Sequence, residues 1–335
     1  MQVAVFHGPG RIAIEEVPEA ELGDHDVRIA IARCGICGSD VSMTSGSPFD
    51  YEHGKTLGHE FAGEVIERGR LASRFKLGDK LAVLPSGPCG ACDMCRQGRP
   101  LFCTNGCNLF GGFGERMVLP ERAGFLLPGS VSLAEGALVE PMACGRRALR
   151  IGRMQRGDRV LVLGAGNMAL AVIYWARLQG AARIVVASRS ARRDEIALAM
   201  GADAVLRLDD PDPEAITRAL GGPPDIVAEC VGKVGMIGLA IDKVRMGGAV
   251  LSMGMCSMPE TIVPAMNTFK EVSLHFPLAY SLEDFTETIR AFDAGKVRPG
   301  DMVRATIGLA ELPAMIETMR GPHEHLKVQV APNQR

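Results

Sequence analysis

The sequence predicts an α/β protein of two domains, a mainly β domain followed by a doubly wound parallel sheet, and three observations lead there. At 335 residues the chain exceeds the size, about 250–300 residues, at which a single hydrophobic core stops growing. Residues 1 to about 145 read as short apolar runs, such as Val3–Phe6, Val27–Ala32 and Lys80–Leu84, separated by Gly, Pro and Asp turns. From about Val160 the runs VLVLG, IVVAS, DIVAEC and AVLSMG alternate with helix-length segments such as NMALAVIYWARLQG and ARRDEIALAMG. Alternation of that kind is the pattern of parallel strands joined by crossover helices. The C-terminal part holds two amphipathic segments, Ser281–Ala294 and Leu309–Arg320, and a final strand His325–Val330 that returns to the first domain. The expected division is therefore 1–145 completed by 285–335, with 146–284 as the second domain.

Hydrophobic residues make up 47% and charged residues 23% of the chain, with a formal net charge of −2, an ordinary globular composition. The Lys and Arg residues are scattered, so no field gathers nucleic acid or an anionic membrane, and the expected partner is a small molecule. The N-terminal MQVAVFHGPG has no basic patch leading into an apolar core, and no apolar run reaches the ~20 residues that span a bilayer. A cytoplasmic protein is the expectation. Ten cysteines in a chain of this size point to metal or catalysis rather than to a disulfide framework.

Cys89, Cys92, Cys95 and Cys103 form C-x2-C-x2-C-x7-C within PCGACDMCRQGRPLFC. Two-residue spacers let a tight turn bring successive sulfurs to one centre, and four thiolates satisfy a closed tetrahedral zinc site. An iron–sulfur cluster also uses such spacers, but the last spacing and the absent Cys-Pro step argue against it. With no open ligand position this site does no chemistry and fixes a loop.

VLVLGAGNMALAV presents Gly164, Gly166 and Ala169, with Asn167 and Met168 between, as a G-x-G-x-x-A turn after a strand and before a helix. The glycines permit close approach of the backbone to a pyrophosphate, and the helix N-terminus offers free N–H groups to its charge. The second strand, RIVVASRSARRDE, ends in Ser188 where an NAD-specific protein carries Asp or Glu for the ribose 2′-hydroxyl. Arg189, Arg192 and Arg193 follow, guanidinium groups suited to a 2′-phosphate, so NADP(H) is favoured over NAD(H). Arginines that merely solvate the first turn of a helix would oppose its dipole.

Upstream, CGICGSD supplies Cys34, Cys37, Ser39 and Asp40, and GHEFAGEV supplies His59 and Glu60. A thiolate, an imidazole and a carboxylate leave a fourth place open, which a Lewis-acid zinc site requires. Taken alone, a single Cys and His fit a satisfied core histidine better.

With these motifs in order the chain resembles the zinc-containing medium-chain alcohol dehydrogenases, particularly the branch of sorbitol and threonine dehydrogenases, over nearly its whole length. The resemblance rests on GICGSD at 35–40, GHEFAGEV at 58–65, the cysteine quartet, GGFGE at 111–115, VEPMA at 139–143, GAG at 164–166 and FKE at 269–271. It implies a GroES-like catalytic domain beside a Rossmann domain, two zinc ions per chain and a homo-oligomer, dimer or tetramer. Hydride would pass between a secondary alcohol or polyol, or the corresponding ketone, and the nicotinamide. Cys37 and His59 look like catalytic zinc ligands, with Glu60 or Glu140 as the third and water as the fourth. Ser39 would begin a proton relay and Asp40 would orient His59. The family often continues that relay with a histidine where this chain has Ser42, and His53 is a substitute. Gly232, Gly247, Gly248 and Gly254 match the region beside the nicotinamide. Phe49, Phe110 and Phe113 would line the substrate pocket, and Arg116 replaces an aromatic common in the family. Cys34, Cys107, Cys144, Cys230 and Cys256 match no ligand position and read as buried thiols. Two rival functions remain: a zinc-free quinone or enoyl reductase of the same superfamily, which lacks the metal ligands, and a non-catalytic nucleotide-binding redox sensor.

Overall fold

The computed structural model describes residues 1–46, 51–209, 212, 214–321 and 323–334. It divides into two compact units, Met1–Glu140 with Ser281–Gly295 and Gly300–Arg335, and Pro141–Tyr280 with Lys296–Pro299. No helix among the described residues is long and apolar enough to cross a membrane.

In the second unit six parallel strands lie in the spatial order Ala204–Arg207, Arg183–Ser188, Arg159–Leu163, Ile226–Glu229, Ala249–Ser252 and Ser273–His275. Counted along the chain this is 3-2-1-4-5-6, the doubly wound order with its switch point beside the first strand. Leu161, Leu163, Val185, Ala187, Val227 and Val250 belong to one buried cluster, closed by Ala240 and Ile241 of the helix Met236–Lys243 and by Val244, which follows it. Strands covered on both faces need the near-continuous apolar runs seen in the sequence. Two of the six were not legible there. Ala204–Arg207 is only half-buried at every position and Ser273–His275 forms the sheet edge, so neither carries a long apolar run.

The first unit is built on a seven-stranded sheet in the order Val303–Gly308, Lys327–Ala331, Asp26–Gly35, Glu60–Arg68, Lys80–Val83 and Gly124–Leu126, with Arg116–Pro120 also pairing to Asp26–Gly35. The expected C-terminal strand is thus present as Lys327–Ala331, and it returns to pair with Asp26–Gly35. The expected helix at Ser281–Ala294 runs Leu282–Asp293, started by a capping box in which Ser281 Oγ accepts from the Asp284 backbone and Asp284 from that of Ser281. The segment Leu309–Arg320 divides into a 3₁₀ turn, Leu309–Glu311, and a helix, Leu312–Arg320. Pro313, in the first turn of that helix, lacks an N–H that no carbonyl there could receive.

One register matters most. Asp26–Gly35 and Glu60–Arg68 run antiparallel with Gly35 opposite Glu60 and Cys34 opposite Phe61. Cys37 and His59 therefore leave the ladder side by side at its end. A β-carbon on Gly35 would stand 2.1 Å from Glu60 Oε2, so only glycine lets that carboxylate fold over the strand. Gly35→Ala should cost about 1–3 kcal/mol, as overpacking of a close-packed interior does. Urea unfolding reads the loss, and a midpoint equal to the parent's would show that Glu60 moves aside freely.

Candidate active site and metal centres

Among the described residues, two groups of side chains converge closely enough to hold a metal ion: Cys89, Cys92, Cys95 and Cys103, and Cys37, His59 and Glu60. In the first, Cys89 Sγ lies 3.9 Å from Cys95 Sγ and Cys92 Sγ lies 3.7 Å from Cys103 Sγ. Four sulfurs at ~2.3 Å from a tetrahedral zinc stand roughly 3.8 Å apart, so the spacing fits the ion, and it is far from the ~2 Å of a disulfide. The loop supplies donors as well. The backbone N–H groups of Ala91 and Cys92 point at Cys89 Sγ, and that of Cys89 at Cys103 Sγ. Those of Ala91 and Cys92 pull the Cys89 thiol down, and that of Cys95 pulls down Cys92, both toward the thiolate a metal needs.

The second group follows from the strand register. Cys37 is the N-cap of the short helix Gly38–Met43, and Asp40 Oδ2 accepts from the Cys37 N–H at 2.9 Å, which fixes the thiol at the head of the turn. His59 immediately precedes the strand Glu60–Arg68, its side chain one-tenth exposed. Its Nδ1 stands 3.3 Å from Asp40 Oδ1, close enough for an ion pair though not aligned as a hydrogen bond, and Ser39 Oγ lies 3.3 Å from Nε2. Burial pushes the imidazole down, but the Asp40 carboxylate and the Cys37 thiol outweigh it and hold the ring well above the ordinary histidine value. The ring stacks on Phe110 with centroids 5.1 Å apart. A thiol, an imidazole and a carboxylate whose donor atoms all lie within 4.8 Å of one another make a set of mixed softness that suits zinc. Ser39, Asp40 and Glu60 are thus brought together with Cys37 and His59. Glu140 stands outside the group, as the second residue of the helix Val139–Ile151, though its charge acts on the same neighbour, Lys327.

Lys327 was not singled out in the sequence. It is fully buried, and its Nζ donates to Glu60 Oε2 at 2.6 Å and to Ile36 O at 3.1 Å. The signal was present as a lysine inside a strand read as returning to the core, where a charge needs a partner. Tyr51 was missed as well: its hydroxyl donates to Thr56 O at 2.8 Å, and burial with the nearby Asp40 charge pushes it up to about 12.

Several pocket and cysteine expectations need correction. Phe113 lies in the core with no exposed surface, packed where a β-carbon on Gly58 would stand, so it does not line a cavity. Arg116 is on the outer face of its strand, paired with Glu19. Phe49 lies outside the described residues. His53 is exposed, its ring edge on Phe6 with centroids 5.6 Å apart. Of the five non-ligand cysteines Cys34 is buried, Cys144, Cys230 and Cys256 are half-buried and Cys107 is exposed on a two-residue strand, because a strand that short has no cover.

In the second unit the first strand ends at Leu163 and Gly164 turns the chain at φ +97°, a conformation suited to glycine. The helix Asn167–Leu178 starts at once, and Asn167 Oδ1 is buried without a partner at its first turn. Gly232 and Gly254 meet backbone to backbone: a β-carbon on Gly232 would stand 1.8 Å from Gly254 O. Ser188 is buried at the C-terminal end of the second strand, its Oγ donating to Ser190 O at 3.0 Å, and Arg189 beside it is exposed. Arg193 Nη1 reaches Ala165 O at 3.5 Å, inside the glycine turn. Burial and the charge of Arg192 both push the Arg193 guanidinium down, the mark of crowded cations. Arg207, opposite Ser188 in the sheet and paired with Asp194, joins this basic edge unannounced by the sequence.

Residues 23–129 match the model of the alcohol dehydrogenase GroES-like domain, and residues 168–294 match that of the zinc-binding dehydrogenases. The sorbitol dehydrogenase of Bacillus subtilis is 30% identical across 99% of this chain and 98% of its own. The mouse sorbitol dehydrogenase is 34% identical across 75% of this chain and 74% of its own. Among solved structures, 2R,3R-butanediol dehydrogenase of Bacillus subtilis superimposes with a TM-score of 0.89 at 28% identity, covering 99% of each chain. A zinc-binding dehydrogenase of Sinorhizobium meliloti, bound to NADP, does so with a TM-score of 0.90 at 27% identity, again over 99% of each. The two units are accordingly a GroES-like domain and a Rossmann domain, and the chain belongs to the zinc-containing medium-chain alcohol dehydrogenases as an oxidoreductase of the alcohol and polyol class.

Proposed function

We propose that the protein transfers a hydride between a secondary alcohol or polyol, or the corresponding ketone, and NADP(H), at a zinc site of Cys37, His59 and a glutamate, Glu60 or Glu140. The observation that carries this reading is the convergence of Cys37, His59 and Glu60. A bound zinc ion supplies Lewis acidity, which lowers the pKa of an alcohol oxygen toward neutrality. The chain's own residues do the rest. Asp40 fixes the Cys37 turn and faces the far nitrogen of His59, Ser39 stands where it can take the substrate proton, and Phe110 covers the imidazole against water. In this reading residues 1–145 with 285–335 form the catalytic domain and 146–284 the dinucleotide-binding domain. A second zinc in the cysteine quartet would fix its loop. We further infer a homo-oligomer, dimer or tetramer, because Phe269, Phe276 and Leu278 are exposed beside the edge strand Ser273–His275, and sedimentation as a monomer would remove that inference.

Metal analysis of protein purified without chelator should find about two zinc ions per chain, from the two ligand groups. Cys37→Ser should lose one of them and keep the fold. Ser39→Ala should keep both and slow turnover by ~10²–10⁴-fold, more at low pH than at high pH, because hydroxide is then too scarce to replace the lost proton acceptor. Unchanged zinc and full activity in Cys37→Ser, or a parent-like pH profile in Ser39→Ala, would withdraw those assignments.

For the cofactor, Gly164, Gly166, Asn167 and Met168 would take the pyrophosphate, Gly232 and Gly254 would border the nicotinamide, and Ser188, Arg189 and Arg193 would take the 2′-phosphate. The absence of a carboxylate at 188 and the paired cations Arg192 and Arg193 support NADP(H), as does the NADP carried by the Sinorhizobium meliloti relative. A hydrogen bond to a charged group contributes ~1.5–3 kcal/mol, so Arg189→Ala should weaken NADP(H) use by roughly 10- to 100-fold and leave NAD(H) use alone. Ser188→Asp should reverse the preference, since its carboxylate repels the phosphate and accepts from the ribose hydroxyls of NAD. The comparison is kcat/KM for both cofactors with one substrate, and a parent that already prefers NAD(H) would make the arginines surface charge.

A further inference from the structure

We propose that Glu229 is a specificity-determining residue for the oxidation state of the cofactor: its buried carboxylate makes the nicotinamide half of the dinucleotide site hold the oxidised ring in preference to the reduced one. The inference rests on the reading above, in which the cofactor lies on the glycine turn with its nicotinamide toward Gly232 and Gly254. Oxidised nicotinamide carries a positive charge and the reduced ring is neutral. A fixed negative charge nearby therefore favours the oxidised form alone.

Glu229 is the last residue of its strand and stands in register with Leu163, the last of the first strand. These two strands flank the point at which the strand order reverses, and ligands of open parallel sheets bind there, outside the C-terminal strand ends. The glycine turn touches the same place. Cys230 N–H donates to Leu163 O at 2.9 Å, and a β-carbon on Gly164 would stand 3.0 Å from Val231 Cγ2 and 3.3 Å from Cys230 O. The second strand, ending at Ser188, lies on the other side of the first. An adenosine half seated at Ser188 leaves the nicotinamide half to the turn that follows Glu229.

The carboxylate is built into that turn. Glu229 is 1% exposed, its Oε1 accepts from the Val231 N–H at 2.6 Å and the Gly232 N–H at 2.8 Å, and its backbone carbonyl accepts from the Met253 N–H at 2.7 Å. A β-carbon on Gly254 would stand 2.8 Å from Oε2. Glu229 thus joins the two loops that carry Gly232 and Gly254. Two other buried carboxylates have charge partners, Asp40 in His59 and Glu60 in Lys327. Among the described residues Glu229 has none, since backbone N–H groups alone hold Oε1 and no lysine, arginine or histidine pairs with Oε2. Its charge is felt at Cys230, where it adds to burial in pushing the thiol up. A buried charge without a counter-ion is costly, and a cationic ring in the crevice offsets that cost where a neutral ring does not.

Glu229→Gln removes the charge and keeps an oxygen that can accept from Val231 and Gly232. Titration calorimetry of the zinc-loaded protein with NADP⁺ and NADPH, and with NAD⁺ and NADH, gives the ratio of dissociation constants within each pair. In Glu229→Gln the oxidised form should lose about tenfold relative to the reduced form, or ~1.4 kcal/mol. The factor should be the same in both pairs, because the 2′-phosphate lies at the other end of the site. Adenosine diphosphate ribose, which lacks the ring, should bind as it does to the parent. Glu229→Asp keeps the charge, so it should keep the parent's ratio even where both forms bind less tightly. A side chain that only braces its turn predicts equal losses for oxidised and reduced cofactor, and that outcome overturns the proposal. Should Glu229→Gln fail to fold, Glu229→Asp decides alone, and a tenfold fall in its ratio overturns it. Tight binding with an unchanged ratio in Glu229→Gln sinks the proposal and leaves the dinucleotide reading standing, whereas a parent that binds neither pair overturns both.

Discussion

The pairing of Gly35 with Glu60 across two antiparallel strands is the constraint on which the candidate active site depends. Side chains alternate along a strand, so a shift of one residue would send His59 and Glu60 to the opposite faces and separate the imidazole from Cys37. The register is held from several directions. Gly111 and Gly112 donate to Gly58 O and Phe113 donates to Leu57 O, which fastens the approach to His59. Asp40 ties the Cys37 turn, and the guanidinium of Arg320 bonds Thr44 O and Thr44 Oγ1 at the end of the same helix. Each of these bonds is worth about 1 kcal/mol, and together they hold the Cys37 turn and the approach to His59 in place.

Charge compensation is the second theme. Asp40, Glu60 and Lys327 are all buried within this small region, where an unpaired charge is expensive. They are tolerable because each has a partner: Asp40 the Cys37 N–H and the facing His59, Glu60 and Lys327 one another. At the basic edge of Ser188, Arg193 and Arg207 the same rule holds in part: Arg207 pairs with Asp194, while the charge of Arg192 beside Arg193 pushes that guanidinium down.

Much of this was legible in the sequence, for identifiable reasons. The four-cysteine spacing and the glycine turn are local signals, since all their residues lie within one loop, and both appear where the spacing placed them. The long apolar strands were legible because burial on both faces leaves no polar positions. The strands Ala204–Arg207 and Ser273–His275 were not, because the half-covered strand and the sheet edge carry weaker patterns. Long-range partners were the hardest. Lys327 and Glu60 are separated by 267 positions, and Arg207 meets Ser188 only through the register of parallel strands, so no local pattern joins either pair. Phe113 shows the converse error: an aromatic in a glycine-rich segment looks like a pocket wall and is in fact buried in the core.

The lateness of Lys327 in the chain orders events during synthesis. The ribosome delivers Glu60 and the strand that pairs with it early, then all six strands of the parallel sheet, and only afterwards the strand Lys327–Ala331. At about 5–20 residues per second that interval is on the order of tens of seconds. Throughout it Glu60 has no ammonium to neutralise it and Gly35 no neighbour at Gln329, while the parallel sheet, which gains its last strand at His275, has all six strands for only about 3–10 seconds before Lys327 is made. The residues made first are thus completed last, a few seconds after the parallel sheet has received its final strand.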